Sequence, residues 1–296
     1  MTNDAQTGRG LLVGYDGSPD AAGAIETGAR LLPRRPVRVV YLWSPPFASA
    51  NLRHQLWRRA GSLDELMKLL EREGAAEAER LAADGVALSH AAGWQAEALV
   101  RRVFGGEGLE LARLAEELRP AALVVGSRGL GGVRAMLGSA SEAAVHHSPV
   151  PVLVVPHPLP VEERRAAAGG PVLVGYDASA GSRAALASAA SLFPDRDLIV
   201  ARAGQDGAGD LDPDELARSG ATRATTLGLE GGRDPSARTV ADALAGCAAA
   251  KGAGVIVVGS RGESAFREIL LGSVAMAVLH HAHRPVLVVP SAGVGR

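Results

Sequence analysis

Ten short apolar runs punctuate this chain, separated by longer segments of helical composition. They fall near residues 11–15, 37–43, 86–91, 121–126 and 150–155, and again at 171–176, 197–203, 222–229, 255–259 and 284–289. The runs are rich in Val, Leu and Ile, with little polar alternation. Such runs predict strands of a parallel sheet covered on both faces. The alternation of strand and helix predicts right-handed crossovers and an α/β layer structure. Gly and Asp cluster at the carboxyl ends of the first and fourth strand of each set, where open α/β sheets bind ligands.

The second set repeats the first. Leu12-Val13-Gly14-Tyr15-Asp16 returns as Leu173-Val174-Gly175-Tyr176-Asp177. Val124-Val125-Gly126-Ser127-Arg128-Gly129 returns as Val257-Val258-Gly259-Ser260-Arg261-Gly262. Pro151-Val152-Leu153-Val154-Val155-Pro156 returns as Pro285-Val286-Leu287-Val288-Val289-Pro290. Three matched blocks in one order predict a duplicated domain. The expected units are residues 8–157 and 170–296, joined by a linker over 158–169 with prolines at one end and glycines at the other.

The copies differ in length. The first-strand aspartates are 161 residues apart and the fourth-strand glycines 133, so copy two is 28 residues shorter between them. The loss maps to the charged, helix-rich region between Asn51 and Asp84. Copy two offers only the Gly- and Asp-rich stretch from Asp206 to Gly220, so its second helix is expected to be absent or a single turn.

Two domains suit a length of 296 residues. Aromatics are only 3%, so the core must be built from Val, Leu, Ile and Ala. A net charge of −1 provides no basic field, and no nucleic-acid partner is expected. The single cysteine, Cys247, leaves no internal disulfide and reads as a small buried side chain. No run approaches ~20 apolar residues and the first ten are polar, so neither a membrane span nor a signal segment is expected. A cytoplasmic location is the expectation.

The glycines carry the candidate chemistry. Copy two reads Gly259-x-x-Gly262-x9-Gly272-Ser273, and copy one Gly126-x-x-Gly129-x8-Gly138-Ser139, one residue shorter. Glycines after a strand let backbone approach a phosphate with N–H groups facing it, and a helix start is an anion seat. No Gly-Lys-Ser/Thr phosphate loop exists, and no G-x-G-x-x-G follows a first strand. The bland alternative is ordinary turn chemistry.

A strand ending Gly-Tyr-Asp, the pattern Gly-x-x-Gly-x9-Gly-Ser, and His280-His281-Ala282-His283-Arg284-Pro285-Val286-Leu287-Val288-Val289-Pro290 together resemble the universal stress protein family. The resemblance covers almost the whole chain as two fused copies. It implies two doubly wound five-stranded parallel sheets of the adenine-nucleotide alpha-hydrolase type. It also implies an intrachain pseudo-dimer paired through the last strands, with room for a further homodimer. Many members bind ATP, here expected with Mg, and others bind none. Carried over, Asp16 and Asp177 would meet the adenosine. Gly126, Gly129, Gly259 and Gly262 would line the ribose-phosphate path, and Gly138-Ser139 and Gly272-Ser273 would hold phosphates. Leu42 would cover the adenine in copy one, where copy two shows Arg202. Arg261, like Arg128, lies within the glycine loop, where it would touch phosphate or water.

On this reading copy two, with the family spacing, is expected to bind ATP more tightly, unless Arg202 blocks its adenine pocket. The paired histidines at the last helix of each copy read as helix-end cations, not as metal ligands. No hydrolytic machinery is visible, so at most slow ATP hydrolysis is expected. The expected role is a nucleotide-responsive stress regulator, with no protein partner specified. The alternatives are a nucleotide-free docking module and, more remotely, an ATP-pyrophosphatase or nucleotidyl transferase. The signatures of that last branch are absent after the first strand, at Asp16-Gly17-Ser18-Pro19 and Asp177-Ala178-Ser179-Ala180.

Overall fold

A computed structural model describes residues 9–44, 54, 57–58, 60–127, 137–203, 213–229, 236–260 and 271–291. In copy one the elements are β1 (Leu11–Gly14), α1 (Pro19–Leu31), β2 (Pro36–Trp43), α2 (Leu63–Ala91), β3 (Gln95–Arg102), α3 (Glu107–Leu118), β4 (Ala122–Gly126), α4 (Ser139–His147) and β5 (Val152–Val155). A helix α5 (Val161–Gly169) follows. Copy two holds β6 (Val172–Tyr176), α6 (Ala180–Leu192), β7 (Leu198–Ala203), α7 (Pro213–Ser219), β8 (Ala224–Leu229), α8 (Ala237–Ala250), β9 (Val255–Gly259), α9 (Ser273–His281) and β10 (Val286–Val289).

All ten strands form one sheet, in the order β3-β2-β1-β4-β5-β10-β9-β6-β7-β8. Within each copy every pairing is parallel, as the runs without alternation predict. The two five-stranded halves join where β5 and β10 pair antiparallel, with Leu153 opposite Leu287. Those two leucines occupy equivalent positions of the repeat, so the pairing is self-matched, as an isologous contact requires. It also removes two apolar edges that would otherwise template association.

Side chains alternate across each strand, and both faces are covered. Val13 and Val124 pack toward α1, Val39 toward α2, and Val174 and Val257 toward α6. Leu12, Leu123 and Val125 face α3 and α4, while Leu173, Ile256 and Val258 face α8 and α9. Each layer runs unbroken through both copies. Helix starts follow serine caps: Ser18 Oγ accepts from the Ala21 amide at 3.1 Å, and Ser179 Oγ from Ser182 at 3.1 Å.

Two symmetry-related arginines bind the copies together. Arg35 donates to the Ser191 carbonyl of copy two at 3.4 Å, and Arg196 to the Arg30 carbonyl of copy one at 3.0 Å. Arg35 and Arg196 are 161 positions apart, as are Arg30 and Ser191. Burial lowers the pKa of both guanidinium groups from the ordinary arginine value.

Three sequence expectations change. The run 86–91 is not a strand: it is the last turn and a half of α2, and the strand is β3, at Gln95–Arg102. Buried Leu66, Leu70, Gly74, Ala78, Ala82, Gly85 and Ser89 recur at helical spacing, so the run continues that face. β3 escaped notice because it is an edge strand, where polar and charged residues break up the apolar run. Second, copy two keeps seven residues of helix, α7, where none or one turn was expected. Pro213 begins it, acids fill its first turn, and Glu215 ties it to Arg183 at 2.8 Å. Third, the expected linker carries α5. Ala167 is fully buried there, and Glu163 meets Arg284 at 3.4 Å.

Candidate functional site

The candidate residues gather at the carboxyl ends of β1 and β4, and of β6 and β9. In copy one the Tyr15 amide donates to Val40 carbonyl at 2.9 Å, which sets Asp16 beside the end of β2. Asp16 Oδ1 then accepts from the Ser18 amide at 2.9 Å, and Asp177 Oδ1 from Ser179 at 3.0 Å. Each aspartate thus closes the turn into the following helix with one oxygen. Its other oxygen has no bond in that turn.

The turn itself differs. Gly17 has φ +82°, and its counterpart Ala178 has φ +63°. A Cβ in the left-handed region is strained, and only glycine escapes that cost. Ala178→Gly is therefore expected to stabilise copy two by about 1 kcal/mol. Urea titration monitored by circular dichroism checks this, and a midpoint that falls or stays put refutes it.

Gly126 and Gly259 end β4 and β9 against the first turn of a helix. A Cβ on Gly126 would lie 2.8 Å from the backbone carbonyl of Asp20. One on Gly259 would lie 2.5 Å from the carbonyl carbon of Gly181. These glycines are demanded by strand–helix contact, whether or not a ligand approaches. Gly138 and Gly272 are the N-caps of α4 and α9, with φ −67° and −63°. Any residue adopts that backbone, so the case for glycine there is space in front of the helix, not a special φ.

The frame around these caps is duplicated. The Gly138 amide donates to Ser127 carbonyl at 2.7 Å, and Gly272 to Ser260 carbonyl at 2.6 Å. The shorter spacing of copy one therefore leaves Gly138-Ser139 in the same frame as Gly272-Ser273. Ser139 and Ser273 hold the first helical position, and no side chain caps either helix. First-turn amides then face outward beside the strand ends, the geometry that receives an anion. Gly129, Arg261 and Gly262, with Arg128, lie outside the described residues.

Strand register also corrects the adenine lid. Gly14 pairs with Val40 and Gly175 with Ala201, so Arg202 matches Tyr41 and Ala203 matches Leu42. The counterpart of Leu42 in copy two is therefore Ala203, not Arg202. Tyr41 and Leu42 lean to opposite faces, Tyr41 into the layer of α1 and α2 and Leu42 into the layer of α3 and α4. Tyr41 escaped sequence reading, since nothing marks a tyrosine at a strand end. Its pKa is raised by burial, then by Glu77, Asp16 and Tyr15. In copy two Tyr176 donates to Glu215, and burial followed by this bond pushes its pKa up to about 12. The stabilisation this supplies is present below the ordinary value of 10 and is lost as pH rises through about 12.

His146 and His147 end α4, and His280 and His281 end α9. Among the described residues no three of His, Cys, Asp or Glu gather in a way that could hold a metal. No described helix is long and apolar enough to cross a membrane.

This doubled frame can be set beside known proteins. The sequence profile of the Universal stress protein family matches residues 9–156 and again 170–290. The chain belongs to the universal stress protein family. A universal stress protein of Mycobacterium tuberculosis is 31% identical over 320 aligned positions, covering 96% of this chain and 95% of that protein. One from Mycolicibacterium smegmatis is 29% identical over 302 positions, covering 95% and 96%. Among solved structures, a universal stress protein from Archaeoglobus fulgidus superposes with a TM-score of 0.68 at 22% identity, covering 96% of this chain and 99% of that one. A functionally unknown protein from Pseudomonas aeruginosa gives 0.56 at 16%, covering 98% and 95%. Both structural likenesses extend over the tandem of universal stress copies and establish the fold.

Proposed function

We propose that this tandem universal stress protein binds ATP, with Mg bound through the phosphates, and acts as a cytoplasmic nucleotide-responsive stress regulator. The observation that carries this reading is the duplicated frame. An uncapped nine-residue helix starts at a glycine anchored to the strand end, in both copies, with an aspartate at the neighbouring strand end. The residues present fit the nucleotide. Asp16 and Asp177 each keep one carboxylate oxygen outside their turn to meet ribose hydroxyls. Leu42 would offer an apolar lid in copy one, and Ala203 holds the matching strand position in copy two. The α4 and α9 amides suit phosphate oxygens, with the Ser139 and Ser273 hydroxyls beside them. Mg would supply charge neutralisation on the phosphates.

Among the described residues the site shows neither a nucleophile paired with a base nor a gathered acid–base pair, which favours binding, with at most slow hydrolysis. The units are copy one, 8–157, and copy two, 170–296, bridged by 158–169 and paired within one chain.

Mass spectrometry of acid-released ligand, with stoichiometry per chain, is the direct test, backed by calorimetric ATP titration. Gly272→Val should lower ATP affinity at copy two at least tenfold, about 1.4 kcal/mol. A side chain there stands in the phosphate approach, while the backbone angles tolerate it. A chain that neither carries nor takes up adenine nucleotide is instead a docking module.

A further inference from the structure

Among the described residues the two sites share a backbone frame but differ in charge. In copy one the Asp20 carboxylate lies 3.5 Å from Ser127 Oγ, and Ser127 is the residue that anchors Gly138. Its other oxygen is 4.0 Å from His157 Nδ1. Glu142 sits in the first turn of α4, its amide bonded to Gly138 carbonyl at 2.8 Å. Asp20 therefore brings a carboxylate to the phosphate end of copy one, and Glu142 adds an acid to the first turn of α4. In copy two Gly181 replaces Asp20 and Met276 replaces Glu142, whose amide position is kept at 3.0 Å from Gly272 carbonyl. The first turn of α9 has no acid. Arg202, at the place of Tyr41, is near enough to Tyr176 to lower its pKa.

A carboxylate at a helix start competes for the same amides and dipole that a phosphate needs, and repels it directly. Resting on the nucleotide reading above, we infer that Asp20 and Glu142 set phosphate charge selection. Copy two takes the polyphosphate nucleotide. Copy one rejects it and takes an adenine ligand with at most one phosphate group.

The test uses the full chain and calorimetric titration with ATP and with adenosine monophosphate, in chelator at low salt. The unsubstituted chain should take one tight equivalent of ATP and two of the monophosphate. With copy two blocked by Gly272→Val, the monophosphate should bind copy one about tenfold more tightly than ATP. Adding Asp20→Asn and Glu142→Gln, which remove charge but keep polar atoms, should raise ATP affinity there about tenfold and leave the monophosphate within about twofold. Met276→Glu in an otherwise unsubstituted chain should weaken the tight ATP equivalent.

Carboxylates that merely stabilise their own helices would shift the melting temperature and leave the ATP-to-monophosphate ratio unchanged, which overturns the proposal. Two equal ATP equivalents overturn it too, while leaving the nucleotide reading intact. If neither ligand binds the unsubstituted chain, in chelator or with Mg added, both readings fall.

Discussion

Gly259→Ala is expected to lower the melting temperature of the chain by roughly 10 °C, in the absence of any ligand. The added Cβ would lie 2.5 Å from the carbonyl carbon of Gly181 and 2.6 Å from its oxygen. Those atoms are backbone, held by the cap in which Ser179 Oγ accepts from Ser182, so no side chain can swing aside. Overpacking of this kind costs about 3 kcal/mol, and a domain of this size loses roughly 3 °C for each. Gly126→Ala should follow the same course more mildly, about 2 kcal/mol, because its contacts with Asp20 are 2.8 Å. Scanning calorimetry on ligand-free protein decides the matter. Lost ATP binding at an unchanged melting temperature would return both glycines to the ligand. The expected pattern separates the motif into parts: Gly126 and Gly259 serve the fold, and Gly138 and Gly272 the space before the helix.

That division explains what the sequence could and could not say. The buried strands were legible because a strand covered on both faces must be apolar at every position, as in Leu11–Gly14 and Val255–Gly259. β3 was not, since an edge strand carries Glu97, Arg101 and Arg102 and so loses the apolar signature. Residues 86–91 misled because a run of small and apolar residues is also what the buried face of a long helix looks like at its end. At the site, Asp16, Asp177 and both glycine caps were legible because the same residues return in the same order in both copies. The pairing of Leu42 with Ala203 rested on strand register, which a gap-free count from Asp177 shows only once the ladder is known. Asp20 and Glu142 left no trace at all. An acid in the first turn of a helix is ordinary, and only the fold reveals that two such turns converge on one strand end.

Arg196→Ala is expected to loosen the junction between the copies by about 3 kcal/mol. Its guanidinium donates to Gly170 carbonyl at 3.0 Å, Ala167 carbonyl at 2.7 Å and Arg30 carbonyl at 3.0 Å. Two of these oxygens lie at or just past the C-terminus of α5, where the helix dipole favours a cation. The third belongs to copy one, so one side chain closes three elements together. Alanine removes the donor from three carbonyls at once, two of them in part-buried bonds, which is why the loss exceeds that of a single surface hydrogen bond. The symmetry-related Arg35 donates to the Arg9 and Ser191 carbonyls at 3.3 and 3.4 Å, longer bonds than those of Arg196. Arg196→Lys should recover little, because a compact ammonium cannot span a fork of three acceptors. Urea unfolding read separately by intrinsic fluorescence and far-ultraviolet dichroism makes the comparison. For Arg196→Ala the two probes should part, as the copies lose their coupling before either unfolds. A variant that stays within about 0.5 kcal/mol of the parent, with coincident transitions, would show that β5 and β10 hold the copies together unaided.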